Sequence, residues 1–431
     1  MRNESRFFTV FPSVVKAGAE SEITITPLYS IYAFTNQNYT VTVIPKEKRE
    51  NPRLPAYNEL CDVYSSVDAE VKDGAITFSY TFLDEQEYRL IVKTQSGSRL
   101  YDFAIYALDG DLYGTIPQRG DLHMHTNGSD GLESVDRMVA ACREIGLDFI
   151  AITDHHKYSP SVDAIKMFEG VDTGLTIFPG EEVHNSQKGG YFHVVNFGGA
   201  YSVNDIIERD YEGLCSRLRE EAEKLSLPDG INAFEYAFFK WIADEIRKSG
   251  GKAIFPHPYW TLGGTYHLEA KLTEYLLKEG VFDIFEVQGD CGEAGNMIQQ
   301  SLYHEMRAKG VDIPIVGSTD AHNCFRGKYR QFASYSTLAF VRDGEGVADA
   351  IMDKRSVALK TIQDEHPVVI GSFRHLKYAL YLMENFYPVY QEQTKDLGAL
   401  IRAYADFGEC KDAIEKVNAR AKEYRRRFFG M

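Results

Sequence analysis

The stretch Asp121–Asp130, DLHMHTNGSD, is the part of this 431-residue chain from which its fold can be inferred. His123 and His125 are two residues apart, so both imidazoles point to the same side of an extended strand. The following residues, Asn127–Ser129, are typical of a turn. Two imidazoles at a strand end, followed by the carboxylate of Asp130, suit a divalent transition metal. On its own this is a weak signal, because a His-x-His pair is often incidental.

Five later segments repeat this combination of a short β-rich run and metal-binding side chains, and long helical patterns separate most of them. Their polar residues are Asp154 and His155 in ITDHH, Glu181 and Glu182 in FPGEEVH with His193 in GGYFHVVNFG, His257 in IFPHP, and Asp320 and His322 in GSTDAHN. Parallel β/α barrels collect active-site groups at the carboxyl ends of successive strands. The joint occurrence of these segments therefore predicts a metal-binding barrel.

These motifs resemble those of the PHP family, the polymerase and histidinol phosphatase superfamily of metal-dependent phosphoesterases. The resemblance extends over roughly residues 120–360 and follows the family's motif order. It implies an α/β fold with a distorted, TIM-like (β/α)7 barrel and a site that usually holds three metal ions. The nine ligands that it implies are His123, His125, Asp130, His155, Glu182, His193, His257, Asp320 and His322.

The resemblance also implies three ligand clusters that share one bridging carboxylate, Glu182. The clusters are His123, His125, Glu182 and Asp320; Glu182, His193 and His257; and Asp130, His155 and His322. Glu182, Asp320 and His257 are the residues assigned catalytic roles. The expected cofactors are two to three divalent ions, and imidazole-rich, carboxylate-bridged sites accept Zn, Mn or Fe according to availability.

Several residues next to the motifs leave alternatives open. Glu182 is preferred over Glu181 as the ligand, because neighbours on a strand face opposite ways and the family pattern is Pro-Gly-x-Glu. His184 shares a face with Glu182, but nine ligands already fill three metal sites. A role behind the ligands or at the surface is therefore expected for His184 and for His156.

Carboxylates beside the ligands are expected to support them. Asp121 and Asp154 adjoin ligating histidines and are candidates to accept the second N–H of an imidazole. Glu286 lies in a predicted strand, as a ligand or as a buried supporting group. No function is assigned to the histidines outside the motifs, which are His267, His304, His366 and His375.

Substrate contacts are predicted from two cationic side chains. Arg326 lies in the loop NCFRGKYRQF after the last ligands, and its guanidinium suits a phosphate or carboxylate. Lys157 directly follows the ITDHH motif. The alternative for both is a solvated basic side chain on an acidic protein.

The composition limits the classes of partner. The formal net charge of −16 opposes a surface built to follow a long nucleic acid, yet it allows a small anionic substrate, because bound cations dominate the local charge. Six scattered cysteines without a Cys-x-x-Cys pair suggest free thiols in a reducing compartment. The N-terminus lacks the apolar core of a signal peptide, and no apolar run approaches membrane-spanning length, so a cytoplasmic location is expected. The oligomeric state is left open.

Three domains are predicted along the chain. Residues 1–115 contain short alternating runs separated by turns, typical of a small antiparallel β-sandwich with an accessory role. Residues 116–365 form the barrel, with a helical insertion near 203–250 predicted as the two helices Asn204–Leu225 and Phe234–Lys248. Residues 366–431 have helical periodicity.

The function predicted from these observations is hydrolysis by a metal-activated hydroxide, with a small phosphorylated metabolite or nucleotide as substrate. One alternative is hydrolysis of a carboxylic ester or carbamate. A further alternative is a nuclease or nucleic-acid-processing module. The acidic charge and the complete ligand set weigh against this last alternative.

Overall fold

The computed structural model describes residues 3–35, 37–47, 64–185, 192–324, 332–362 and 365–431. The chain divides into two compact units. The first comprises Met1–Ile116, Lys377–Gln393 and Ala419–Met431, and the second comprises Pro117–Leu376 and Thr394–Asn418. Both units therefore include residues of the C-terminal segment. The three-domain division at residues 115 and 365 stays a prediction.

The first unit is built on one eight-stranded sheet. Its strands are β1 (Phe8–Phe11), β2 (Val14–Lys16), β3 (Glu20–Pro27), β4 (Tyr39–Pro45), β5 (Ser65–Lys72), β6 (Ala75–Thr81), β7 (Gln86–Thr94) and β8 (Arg99–Leu108). They lie in the order β1-β3-β6-β5-β4-β7-β8-β2, and only β2 pairs in parallel with its neighbour. The first half of β5 pairs with β4 and the second half with β6. Alternating inward residues such as Ile23 and Ile25 on β3 and Val41 and Val43 on β4 share one core.

The second unit alternates strands and helices. Its strands are β9 (Ile116–Asp121), β10 (Phe149–Ala151), β11 (Thr176–Phe178), β12 (Gly180–His184), β13 (His193–Phe197), β14 (Lys252–Phe255), β15 (Thr261–Leu262), β16 (Thr265–Tyr266), β17 (Ile284–Gln288), β18 (Ile315–Gly317), β19 (Tyr335–Val341), β20 (Ser356–Lys360) and β21 (Val368–Ile370). Its helices are α1 (Val135–Glu144), α2 (Ser159–Met167), α3 (Asn204–Arg209), α4 (Tyr211–Ala222), α5 (Ala233–Lys248), α6 (Ala270–Lys278), α7 (Gly292–Ala308) and α8 (Val347–Met352).

Two mixed sheets carry the metal-binding motifs. One has the order β11-β10-β9-β19-β20-β21 and the other β12-β13-β14-β17-β18. The pairs β9–β10, β10–β11, β14–β17 and β17–β18 are parallel, whereas β12–β13, β13–β14, β19–β20 and β20–β21 are antiparallel. Strands of both sheets share one core, with Phe149, Val195, Ile254, Ile284 and Val316 among its members. The second unit is thus a mixed α/β structure rather than a purely parallel one.

The region near 203–250 contains helices as predicted, but the first predicted helix, Asn204–Leu225, is two helices. Asp210 separates α3 from α4, and its side chain accepts a hydrogen bond from the backbone N–H of Gly213 (3.1 Å). Asp is a favoured N-cap because its carboxylate satisfies a free N–H of the first turn. In α5, Phe238, Phe239, Ile242 and Ile246 recur at helical spacing and are buried in a core shared with β14.

Three helices complete the chain: α9 (Phe373–Asn385), α10 (Tyr387–Phe407) and α11 (Lys411–Phe428). In the first unit, the hydroxyl of Tyr381 donates to the carbonyl of Ser13 (2.9 Å). In the second unit, Leu397 and Ile401 pack with Met138 of α1. The helical character of the segment is as predicted, and its buried residues serve the cores of both units. Within the described ranges, none of the helices has the length and apolarity that crossing a membrane requires.

We predict that Gly120→Ala destabilises the second unit. Gly120 pairs with Phe149 of β10, and an added Cβ would lie 2.3 Å from the Phe149 carbonyl oxygen. Forcing atoms into so close a contact typically costs about 1–3 kcal/mol. Denaturant unfolding should show the loss, whereas Gly110→Ala, with no atom within 4 Å of the new Cβ, is the control. Equal unfolding midpoints for both variants would contradict this packing.

Candidate metal centre

The metal-binding motifs converge at one edge of the two sheets. His123 and His125 follow β9, His155 follows β10, His257 follows β14, and Asp320 follows β18. Isolated parallel bridges, between Met124 and Ala321 and between His155 and Glu182, align the loops with one another.

His193 reaches the same edge by a different route, since it begins its strand instead of following one. It pairs with His184 at the end of β12 because β12 and β13 are antiparallel.

Glu182 is the centre of the cluster. Its carboxylate is fully buried, and six imidazoles approach its oxygens. The nitrogen–oxygen distances are 2.7 Å to His155, 2.8 Å to His193, 3.4 Å to His257, 3.5 Å to His123, 3.6 Å to His125 and 3.7 Å to His184. Burial by itself raises the pKa of Glu182, but the surrounding imidazoles, His193 foremost, hold that pKa well below its usual range. The surroundings therefore favour the ionised form of this buried carboxyl group.

Asp320 supplies the second carboxylate. Its Oδ1 lies 2.9 Å from Nε2 of His125 and 3.4 Å from Nε2 of His123. Burial opposes ionisation here too, yet His123 and His125 hold the pKa of Asp320 far below its usual range. These residues and Glu182 correspond to the first predicted ligand cluster.

The other predicted clusters are also brought together. Donor atoms of Asp130, His155 and His322 lie within 4.8 Å of one another, and His125 belongs to the same group. Nε2 of His322 is 3.4 Å from Asp130, and Nε2 of His155 is 3.6 Å from it. A further set of neighbouring donor atoms comes from His193, His257 and His267. All nine predicted ligands thus lie in one region, and their roles as ligands stay a prediction.

The donor set fits divalent transition metals. Imidazole nitrogens and carboxylate oxygens are the ligands that Zn, Mn and Fe share. Several buried atoms of the cluster make no hydrogen bond with any described residue; among them are Nε2 of His123, both oxygens of Glu182 and Nε2 of His257. Burying such groups without partners is costly, and a shared cation would satisfy them together.

Two residues of the cluster have unusual backbone conformations. His257 has φ of 22° and Asp320 has φ of 50°, in the region that disfavours residues with a Cβ. Backbone strain of this kind concentrates at functional sites, where the surrounding structure imposes it. Here it directs both side chains toward the cluster.

Glu286, rather than Asp121 or Asp154, supports a ligand imidazole. Nδ1 of His123 lies 3.0 Å from Oε2 of Glu286, so an N–H there donates to the carboxylate. Asp121 accepts hydrogen bonds from Thr319 and from the backbone of His123. Asp154 accepts from the backbone and side chain of Thr126 and Ser129. The expected partnership of these two aspartates with imidazole N–H groups is therefore wrong, and they order the ligand-bearing loops instead.

Glu181 faces away from the cluster, as strand alternation predicts. Its carboxylate accepts hydrogen bonds from Ser202 (2.7 Å), Asn204 (2.9 Å) and the backbone of Val203 (2.5 Å). Burial raises the pKa of Glu181, although these hydrogen bonds oppose the rise. The geometry agrees with the choice of Glu182 as the candidate ligand.

Two histidines outside the nine predicted ligands join the cluster: His184, which was expected behind the ligands or at the surface, and His267, to which the sequence analysis assigned no function. Nε2 of His184 lies 2.8 Å from Nδ1 of His155, and donor atoms of His155, Glu182 and His184 form one compact group. His267 joins His193 and His257 in another group. Strand alternation places His184 on the same face as Glu182, as the sequence indicated. Nothing local points to His267, because a short hairpin places it there.

Of the two predicted substrate-binding residues, the structure describes only Lys157. Lys157 is exposed beside the cluster, and its ammonium donates to the carbonyl of Gly128. Arg326 lies outside the described residues. Substrate contact by either residue stays a prediction.

Residues 121–208 match the family model of the PHP domain, so the chain carries a domain of this family and the resemblance seen in its motifs is confirmed. The DNA polymerase/3'-5' exonuclease PolX of Bacillus subtilis is 50% identical over 40 residues, which are 9% of this chain and 7% of that protein. The 5'-3' exoribonuclease Rnm of Salmonella typhimurium is 26% identical over 230 residues, covering 42% of this chain and 75% of that protein.

A solved two-domain protein from Bacteroides vulgatus, containing a predicted PHP-like metal-dependent phosphoesterase, is 19% identical with a TM-score of 0.39. The match covers 57% of this chain and 65% of that protein. The chain thus spans a small part of PolX and slightly less than two thirds of the Bacteroides protein.

We predict that the purified protein binds two to three equivalents of transition metal and that Glu182→Gln loses at least one of them. The amide replaces a charged oxygen that faces six imidazoles, whereas Glu181→Gln changes the neighbouring carboxylate outside the cluster and is the matched control. Elemental analysis after dialysis gives the stoichiometry. Less than one equivalent in the unmodified protein, with none gained on adding Mn or Zn, would contradict the prediction.

We also predict that Glu286→Gln weakens metal binding without abolishing it. The amide keeps the shape of the side chain but removes the charge that orients and polarises His123. Loss of such a supporting partner typically costs about 10- to 100-fold in metal affinity. Competition with a chelator measures the change, and Glu293→Gln on the exposed start of α7 is the control. An affinity equal to that of the control would rule out this role.

Proposed function

We propose that the chain is a metal-dependent phosphoesterase that hydrolyses a small phosphorylated metabolite or nucleotide. The observation that supports this most is the buried carboxylate of Glu182, which six imidazoles approach within 3.7 Å. So many imidazole nitrogens around one carboxylate are typical of a site that binds metal cations. The PHP domain match over residues 121–208 supports phosphoester chemistry.

The nine predicted ligands would hold two to three ions of Zn, Mn or Fe. Glu182 would bridge, with His123, His125 and Asp320 on one side and His193 and His257 on another. The more open group of Asp130, His155 and His322 would hold the third ion. We propose in addition that the strands carrying these residues form the distorted (β/α)7 barrel that the resemblance implies.

Divalent ions held by these residues would supply a hydroxide at neutral pH and would neutralise charge on the phosphoryl oxygens. Glu182 and Asp320 hold the anionic side of the site, because their nearby imidazoles keep both carboxylates ionised. The unusual backbone conformation of His257 fixes the position of its imidazole at one side of the cluster. Lys157 would bind a substrate phosphate from the exposed side, and Arg326 is the second candidate for that contact.

The charge of the chain favours a small substrate. Long polyanions bind through many Lys/Arg–phosphate contacts with counterion release, and a net charge of −16 opposes this. A compact phosphate ester needs only the cations and one or two side chains. We therefore propose a small anionic substrate as the partner.

A second candidate is a nuclease acting on short or 5'-terminal nucleotides. It is favoured by the 26% identity to the exoribonuclease Rnm over 230 residues. The metal centre is the same in both proposals, and they differ in the length of the substrate that the surroundings admit.

We predict measurable turnover of small phosphomonoesters by the metal-loaded protein and little turnover of oligonucleotides longer than a few units. A panel of phosphomonoesters, 5'-phosphorylated oligonucleotides of increasing length, and carboxylic esters separates the candidates. Glu182→Gln is the inactive control, and Glu181→Gln should keep activity. Efficient cleavage of long RNA or DNA would favour the nuclease, and turnover of carboxylic esters alone would reject phosphoester chemistry.

A further inference from the structure

A two-stranded hairpin lies between the loop of His257 and helix α6. Its strands, β15 and β16, pair only with each other among the described strands, and residues 261–266 are exposed. Gly263 and Gly264 have φ of 60° and 89°, the conformation that a two-residue hairpin turn requires. Because an isolated hairpin of this kind is marginally stable in water, its base must be held by other contacts.

The base of the hairpin folds back on the metal centre. The backbone N–H of Trp260 donates to the backbone carbonyl of His257 (3.0 Å), and the backbone N–H of His267 donates to the backbone carbonyl of Trp260 (2.7 Å). The backbone N–H of Leu268 donates to Pro258 (3.2 Å). These bonds bring the two ends of the hairpin together, so that His267, which follows β16, lies beside Trp260, which precedes β15, and near the loop of His257.

His267 meets two of the predicted ligands there. Its ring centroid is 4.5 Å from that of His193, edge to face, and 5.6 Å from that of His257. One donor atom from each of the three imidazoles lies within 4.8 Å of the others. Nδ1 of His193 and both ring nitrogens of His257 are buried and make no hydrogen bond to any residue in the described ranges. The three imidazoles therefore surround a position suited to a cation.

We propose that His267 is a fourth protein ligand to the ion predicted at Glu182, His193 and His257, and that the hairpin exists to present it. This inference rests on the metal centre of the proposed function. Three protein ligands leave a coordination position open, as in catalytic zinc sites, whereas four ligands close it, as in structural sites. Three imidazoles and one carboxylate would thus make the ion at this position structural and leave catalysis to the ions of the other clusters, so that His257 would be a structural ligand and not the catalytic residue expected from the sequence.

The same ligand explains what holds an exposed hairpin in place. A bond from His267 to an ion anchored by Glu182 ties the hairpin to the buried part of the second unit. Metal removal should therefore release the hairpin while the rest of the strand edge keeps its backbone pairing.

The test compares His267→Ala and His267→Gln with His304→Ala, which removes an exposed histidine of α7. We expect the affinity for one metal equivalent to fall by more than the roughly 10- to 100-fold typical of a supporting residue, while the other equivalents stay bound. Chelator competition with elemental analysis gives the stoichiometry, and the visible spectrum of the Co-substituted protein reports the change in coordination. His304→Ala should leave both unchanged.

A measurement on the unmodified protein covers the case in which both variants fail to fold. Histidines are modified with diethyl pyrocarbonate in the absence and presence of Zn, and the sites are located by mass spectrometry. Bound Zn should protect His267 and leave His304 reactive. Equal modification of His267 with and without Zn would overturn the proposal.

The outcomes also separate this inference from the proposed function. Unchanged metal content and Co spectrum in both His267 variants, alongside metal loss in Glu182→Gln, would reject only the role of His267. Failure of the unmodified protein to bind any metal would reject both.

Discussion

The structure of the second unit depends on the buried carboxylate of Glu182. Taking a carboxylate out of water is costly unless opposite charge or several hydrogen-bond donors surround it. In this protein imidazoles from several separate chain segments surround it, at 2.7–3.7 Å, in positions suited to holding cations against it. The strand ends that carry these imidazoles must therefore meet at one edge. The mixed sheets are the arrangement that brings them there.

Three further carboxylates, which contact the candidate ligands or their loops, also help to position the imidazoles. Glu286 orients His123 from strand β17 of the other sheet, and Asp121 and Asp154 order the loops that bear the histidines. Each of these carboxylates is itself buried and hydrogen-bonded. A change at one of them would displace a ligand even though none faces the centre of the cluster. The site is therefore preorganised by the strand ends rather than assembled by flexible loops.

The arrangement also has an internal asymmetry. The group of Asp130, His155 and His322 is the more exposed, with Asp130 exposed to solvent, whereas His123, Glu182 and His257 are almost wholly buried. Exposure suits exchange of substrate and product, and burial suits permanent retention. The hairpin that carries His267 lies on the side of His193 and His257. This distribution is consistent with a structural metal ion on the buried side of the cluster and a catalytic ion on the side that is exposed to solvent.

The sequence by itself pointed to nine residues of the cluster, through motifs that resemble those of a known family and through rules that act between neighbouring residues. Strand alternation separates Glu182 from Glu181, the motifs place His123, His155, His257 and Asp320 directly after strands, and helical periodicity marks α5. Each of these features depends on residues that are close in the chain, so a periodic pattern in the sequence is enough to predict it.

The tertiary structure decided which residues meet across distances in the chain. Glu286 is 163 residues from His123, and His267 reaches His193 only because the base of a hairpin closes on itself. The antiparallel pairing that brings His193 to His184, and the division of the C-terminal helices between two cores, are likewise long-range. A periodic pattern shows which face of an element is buried, but the partner of that face depends on how all the elements pack together.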